Sequence, residues 1–153
     1  MRFLISLLAI TPGDYVLTGN ERMQQRPVAE LVDCLNSLGA AINYQKIQGV
    51  PPVEISGRKL LGGGVKIDGS VSSQFISSLL MIAPCLERGL TMEIQGNMVS
   101  RPYIDMTLGL LKYFGITSHI VQNKITIHPQ EYHGKDYEIE KDWSAAEIGR
   151  AHV

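Results

Sequence analysis

The sequence predicts a mixed α/β (α+β) fold built from a repeated β-α-β-α-β-β unit, and three observations carry that prediction. Residues Phe3 to Pro12 read FLISLLAITP and residues Phe75 to Pro84 read FISSLLMIAP, agreeing at Phe, Ser, Leu, Leu, Ile and Pro. Other landmarks recur at nearly the same interval: Phe75 follows Phe3 by 72 positions, Pro102 follows Pro27 by 75, and Gly96 follows Gly19 by 77. Between these landmarks the apolar residues switch between strand-like alternation and helical spacing. Self-similarity on this scale means that each unit is one supersecondary block, burying its apolar helix faces against sister blocks.

Residues 1–56 hold a unit whose front is missing. Arg2 to Thr11 forms a helix, YVLTGN (15–20) a strand, and RPVAELVDCLNSLG (26–39) a second helix, followed by strands near Ala41 to Tyr44 and Val53 to Ser56. The complete unit spans 65–128. Gly62-Gly63-Gly64 lacks the Gly-Lys-Ser/Thr of a phosphate loop and reads as the turn entering a strand, VKID (65–68). Ser72 to Ala83 forms a helix stopped by Pro84, and LTMEIQGN (90–97) a strand ending in a Gly-Asn turn. RPYIDMTLGLLKYFG has proline at its first helical position and glycine at its end, with Ile104, Leu108, Leu111 and Phe114 or Gly115 marking the packed side. ITSHIVQNKITIHP reads as two short strands turning at Gln122-Asn123. A third copy begins at DYEIEKDWSAA (136–146), because Tyr137 stands 72 positions after Val65 and Ser144 stands 72 after Ser72; it covers 137–146. One full unit and parts of two others lead us to expect a chain that begins and ends inside a larger domain.

At 153 residues and 44% hydrophobic, the chain is long enough to bury a core. Fourteen basic residues against fifteen acidic ones, with no run of either sign, give no electrostatic footprint for nucleic acid or an anionic membrane. Any anion bound here is small and locally held. The opening MRFLISLLAITPGD imitates a secretory signal, but it lacks a small-residue cleavage site and is too short to span a bilayer. Its near-copy at 75–84 makes a core helix the better reading. Cys34 and Cys85 sit in apolar helical contexts without Cys-x-x-Cys spacing, which predicts buried, reduced thiols and a cytoplasmic location.

The chemistry points to helix starts. Helix N-termini carry unpaired N–H groups and a partial positive charge that suit phosphate, and Ser72, Ser73 and Gln74 add donors there. Taken alone, the pattern reads first as a serine N-cap with its neighbours facing solvent. Arginine opens the second helix of both units, at Arg26 and Arg101, where a cation opposes the helix dipole unless an anion lies near. Glu30 and Asp105, four residues on, offer ordinary ion pairs instead, worth roughly 0.2 to 0.5 kcal/mol. For Arg26 the two readings are even. His119, His128, His133 and His152 have neither metal-ligand nor triad spacing, and Asp68, Asp105 and Asp142 pair with no second carboxylate in a catalytic pattern.

The stretches VLTGNERMQQRP, LNSLGA, PPVEISG, GGGVKIDGSVSSQFISSLLMIAP, MVSRPYIDMTLGLLKYFG and DWSAA, in this order from residue 1 to about 146, resemble the 5-enolpyruvylshikimate-3-phosphate (EPSP) synthase family. These are the 3-phosphoshikimate 1-carboxyvinyltransferases of the shikimate pathway, which leads to chorismate and the aromatic amino acids. The resemblance implies an inside-out α/β barrel of three such units per domain, helices inside and sheets outside. It implies that the 5-hydroxyl of shikimate 3-phosphate attacks C2 of phosphoenolpyruvate, giving an adduct that eliminates phosphate. No metal or organic cofactor is implied, and the full-length enzyme is expected to be a monomer. Residue by residue, SSQ carries over as Ser72 and Ser73 on the phosphate of shikimate 3-phosphate, with Gln74 reaching toward both substrates. VSRPY carries over as Ser100, another phosphate donor, and Tyr103 against the shikimate ring. The RP after ERMQQ places Arg26 at phosphoenolpyruvate, where a guanidinium forms two parallel bonds to an oxyanion. Arg101 is left as a structural residue.

The family's Gly-Asn-Ala-Gly-Thr loop is expected to end immediately before Met1. That loop, the amino-terminal Lys-Ser and Arg of the substrate site, and the catalytic aspartate, lysine and arginines of the other domain are absent from this sequence. No catalytic residue is therefore assigned, and the polypeptide alone is expected to show no turnover. After DWSAA the family continues into an aromatic, apolar helix, whereas here the sequence reads EIGRAHV. One codon choice for those seven residues resembles a sequencing-library adapter, so 147–153 read as a non-native tail. Two rival readings stand beside the family assignment. The related UDP-N-acetylglucosamine enolpyruvyl transferases share fold and donor but lack the Ser-Ser-Gln seat. A non-catalytic remnant that binds ligand weakly, or only packs, is the other.

Overall fold

The computed structural model describes residues 1–70, 72–96 and 101–139. Its first part runs α1 (Arg2–Ile10), β1 (Gly13–Leu17), α2 (Glu21–Gln24), α3 (Ala29–Ser37), β2 (Ala41–Tyr44) and β3 (Val53–Gly57). Its second runs β4 (Gly63–Asp68), α4 (Ser73–Ile82), β5 (Leu90–Gln95), α5 (Arg101–Tyr113), β6 (His119–Val121) and β7 (Lys124–Ile127). The order over residues 63–127 is strand, helix, strand, helix, strand, strand. The third-unit reading at 137–146 and the non-native tail fall largely or wholly on residues 140–153, outside the described residues.

The strands form two sheets. One is antiparallel in the order β1-β3-β2; the other runs β4-β5-β7-β6, with β4 parallel to β5 and the remaining pairs antiparallel. Residues alternate across each strand, so Val65 and Ile67 of β4, and Met92 and Ile94 of β5, point inward while Lys66 and Glu93 face solvent. Lys66 and Glu93 are register partners on that outer face, 3.8 Å apart, a surface pair of little energetic weight. By contrast α4 buries Phe75, Ile76, Ser77, Ser78, Leu79, Leu80 and Ile82, more than one stripe of its circumference. Helices therefore lie inside and sheets outside, the layering implied by the family resemblance.

Close approach between layers depends on glycine. A Cβ on Gly57, at the end of β3, would lie 1.8 Å from the Thr11 carbonyl oxygen. The next residue's backbone N–H bonds Ala9 O of α1 at 3.0 Å, which locks the sheet to the helix end. Gly62, at φ +77°, makes the turn into β4, as the glycine run predicts.

Several boundaries differ from expectation. Pro84 does not simply stop α4 but sits within a 3₁₀ turn, Ala83–Cys85. The helix expected at 26–39 begins only at Ala29, because Val28, at φ −135° and ψ 4°, stands outside the helical region as its N-cap. The strand expected at 15–20 is shifted to Gly13–Leu17, and the short helix α2 lies between the expected strand and the expected second helix, where no element was expected. Cys34 is half-buried and Cys85 exposed, so the expectation of two buried thiols is corrected; both are free. Cys85 ends the 3₁₀ turn, between the buried Pro84 and the buried Leu86.

Candidate functional site

The helices α1 and α4 pack in parallel. Arg2 meets Gln74 and, four residues on, Ser6 meets Ser78, so equivalent positions 72 residues apart face each other in the same order. Parallel packing brings two helix N-termini, each with a partial positive charge and unpaired N–H groups, to one end of the pair. Neither first turn carries an acidic residue. That end is electropositive before any side chain is considered.

The side chains reinforce it. Ser72 occupies the N-cap position of α4, yet its hydroxyl makes no capping bond. It accepts instead from Arg2 Nη1 at 3.0 Å, and the same nitrogen donates to Gln74 Oε1, also at 3.0 Å. The Arg2 guanidinium carbon lies 4.7 Å from the centre of the Phe75 ring, a cation–π contact that fixes its far side. Burial, and then the neighbouring charge of Arg26, pull the Arg2 guanidinium below its ordinary pKa. Two cations facing one small space without a carboxylate partner among the described residues are what an anion site requires.

Arg26 arrives by a separate route. Asn20 caps α2 through its side chain, accepting from Met23 N at 3.0 Å, and Arg26 N then donates to Met23 O, ending the turn just before Pro27. Arg26 shares a pocket of about 50 Å³ with Met1, Arg2, Met23, Val28 and Gln74. That volume admits a water-sized group, not a whole metabolite. Glu30 makes no ion pair with Arg26 among the described contacts, whereas Arg101 donates to Asp105 at 2.8 Å. The two arginines thus separate: Arg26, three residues ahead of α3, lines the pocket, and Arg101, at the start of α5, is held in an ordinary i,i+4 pair.

The remaining candidates are less gathered. Ser73 is half-buried in the first turn of α4, and Tyr103 is 60% exposed on α5 and lines no part of the Arg2–Arg26 pocket. Ser100 lies outside the described residues. At the start of α4, Asp68 accepts from Ser70 N at 2.8 Å, and that bond holds its carboxyl below the usual range while shaping the strand-to-helix turn. Arg2 is the member of the cluster that sequence reasoning missed. The signal was present in the repeat itself: Arg2 is the positional equivalent of Gln74, a residue already assigned to the site.

A repeat-built α/β fold with its helices inside and an electropositive helix end is the architecture of the enolpyruvyl transferases. The family model described as EPSP synthase (3-phosphoshikimate 1-carboxyvinyltransferase) matches residues 1–149, and the chain belongs to that family. It is 49% identical over 147 residues to the 3-phosphoshikimate 1-carboxyvinyltransferase of Bacteroides fragilis, covering 95% of this chain and 36% of that protein. With the enzyme of the same name from Colwellia psychrerythraea it shares 45% identity over 152 residues, covering 95% of this chain and 35% of the relative. The solved EPSP synthase of Acinetobacter baumannii superposes with a TM-score of 0.76 at 26% identity, over 95% of this chain and 32% of that one. The chain thus spans about a third of the length of the relatives it matches. Among the described residues no helix is long and apolar enough to cross a membrane.

Proposed function

We propose that this chain forms one substrate-binding wall of a 3-phosphoshikimate 1-carboxyvinyltransferase. In that reaction the 5-hydroxyl oxygen of shikimate 3-phosphate bonds to C2 of phosphoenolpyruvate while the methylene carbon takes a proton. The tetrahedral adduct then loses phosphate and a proton, leaving the enolpyruvyl ether. Both substrates are polyanions, so the wall's task is to gather negative charge and hold two reactants in register. Ser72, Ser73 and Ser100 take the phosphate of shikimate 3-phosphate, Tyr103 lies against its ring, Gln74 reaches both substrates, and Arg26 takes phosphoenolpyruvate. The supporting observation is the carboxylate-free meeting of Arg2, Arg26, Ser72 and Gln74 at the paired N-termini of α1 and α4.

The domain reading belongs to the same proposal. Residues 1–56 and 65–128 are two units of a three-unit domain, and 137–146 open the third. A groove of about 430 Å³ between α1, α4 and α5 is lined by Phe3, Leu4, Leu7, Met81, Leu110 and Phe114. A third helix equivalent to α1 and α4 completes the pattern by packing there. The full-length enzyme is a monomer working in the cytoplasm.

Calorimetric titration of shikimate 3-phosphate into the purified chain tests the assignment. Saturable binding is expected, with a loss of about tenfold or more when Ser72→Ala and Ser73→Ala are combined, since each removes a hydrogen bond to a charged group. Arg26→Met is expected to weaken phosphoenolpyruvate by a similar or larger factor and to spare shikimate 3-phosphate. A packing remnant shows no saturable heat with either metabolite.

A further inference from the structure

The hydrogen-bonding polarity at the shared end of α1 and α4 carries an inference about Arg2. A guanidinium only donates, so both of its contacts consume acceptors: Ser72 Oγ and Gln74 Oε1, each 3.0 Å from Nη1. What each partner has left is then fixed. A cation cannot face an amide NH₂, so the Gln74 amide is held with its carbonyl toward Arg2 and both N–H donors turned away. The Ser72 oxygen already accepts through one of its two lone pairs while its own proton stays free to give, and a hydroxyl accepting from a cation is polarised into a stronger donor. The contacts span 70 and 72 residues of sequence, so they join two units and are not a local turn. Phe75 braces the guanidinium from its other face.

We propose that Arg2 is the positioning residue of this site: by occupying an acceptor position on both Ser72 and Gln74 it aims their donor hydrogens at the seat, so that the seat favours anionic phosphate oxygens over neutral hydroxyls. Arg26, across the pocket, adds the second pole of positive charge. The inference rests on the acceptor-binding role given above to Ser72 and Gln74, but its first consequence is visible without any ligand.

Two measurements on the full chain test it separately. In isotopically labelled protein, the Gln74 side-chain amide signals are identified by their loss in Gln74→Glu. Arg2→Met is expected to move them to the position of an unrestrained exposed glutamine, and Arg2→Lys to leave them part of the way. Unmoved signals in Arg2→Met overturn the proposal, whatever the ligands do. In the second measurement the parent binds shikimate 3-phosphate, and Arg2→Met weakens it about tenfold to a hundredfold, the range for a charge-assisted contact. Arg2→Lys recovers part of that loss, and shikimate, which lacks the phosphate, loses less. Equal affinities for parent and Arg2→Met likewise overturn the proposal. If the parent binds no shikimate 3-phosphate while the Gln74 signals still move, the functional reading falls and the positioning of Gln74 by Arg2 stands. Should Arg2→Met fail to fold, Arg2→Lys supplies both readings on a chain that keeps the charge.

Discussion

Tyr132 shows how a single side chain away from the site shapes the stability of the whole. Its hydroxyl donates to the Met81 carbonyl at 2.5 Å, tying the segment after β7 to the end of α4. Burial, followed by the nearby Cys85 thiol, pushes its phenol up to about 12. A phenol whose folded value lies above its unfolded one stays protonated in the native chain while the unfolded chain has begun to ionise. The contribution is therefore complete below about pH 10 and falls away as the pH rises toward about 12. Denaturant midpoints measured from pH 9 to 12 are expected to decline, and Tyr132→Phe to make that decline shallower. Tyr44, Cys34 and Cys85 are also raised by burial and keep the remainder of the slope. At neutral pH the same variant loses about 1 kcal/mol with its hydrogen bond. Residues of this kind were only partly legible beforehand. Ser72, Gln74 and Arg26 could be singled out because helix starts and proline motifs announce themselves locally. Arg2 looked like nothing more than a basic residue ahead of an apolar run, since its partners lie 70 and 72 positions away.

Among the elements, the α1–α4 contact turns on two buried hydroxyls. Ser6 Oγ donates to Ser78 Oγ at 2.9 Å, and Ser78 Oγ donates onward to Phe75 O at 3.1 Å. On the neighbouring face of α4, turned toward α5, Ser77 meets Thr107 at 2.7 Å, and Thr107 also donates to Tyr103 O. Removing Ser78 takes away the hydrogen-bond partner of the buried Ser6 hydroxyl, whereas Ser78 keeps its bond to Phe75 O when Ser6 is removed. Ser78→Ala is expected to cost about 1 to 3 kcal/mol, and Ser6→Ala with Ser78→Ala less than the sum of the two single changes. Chemical denaturation of the four proteins in this cycle checks it; strict additivity means the hydroxyls do not pair. The elements themselves were readable from period and punctuation, down to the Gln122-Asn123 turn, where Gln122 has φ +55°. The short helix α2 was not, because four residues carry too little periodicity and its stabilising cap is a lone asparagine. The delayed start of α3 was obscured for a different reason: proline at a first helical position and proline just outside a helix look alike until the backbone is traced.

At the scale of the whole molecule, one sheet has three strands and the other four, and an apolar groove opens between α1, α4 and α5. Leu7 is 51% exposed and Leu4 46%, in a segment whose repeat-equivalent, α4, is buried almost all round. Apolar surface gathered in one groove behaves as a binding surface toward any apolar molecule. The chain by itself is expected to enhance the fluorescence of an apolar dye, and Leu7→Glu to reduce that signal with little change in the thermal midpoint. An unlit parent would mean that the groove is covered. The family resemblance made this layering foreseeable, whereas the pairing of the repeat's copies required coordinates. Contact between equivalent positions imposes a rule of self-complementarity. A hydroxyl can face its own kind, since each gives and receives, and Ser6 with Ser78 obeys. A guanidinium facing another would repel, so one turn away the copies had to diverge, Arg2 in one and Gln74 in the other. The two copies of the helix part company at the end of the pair, where like could not be set against like.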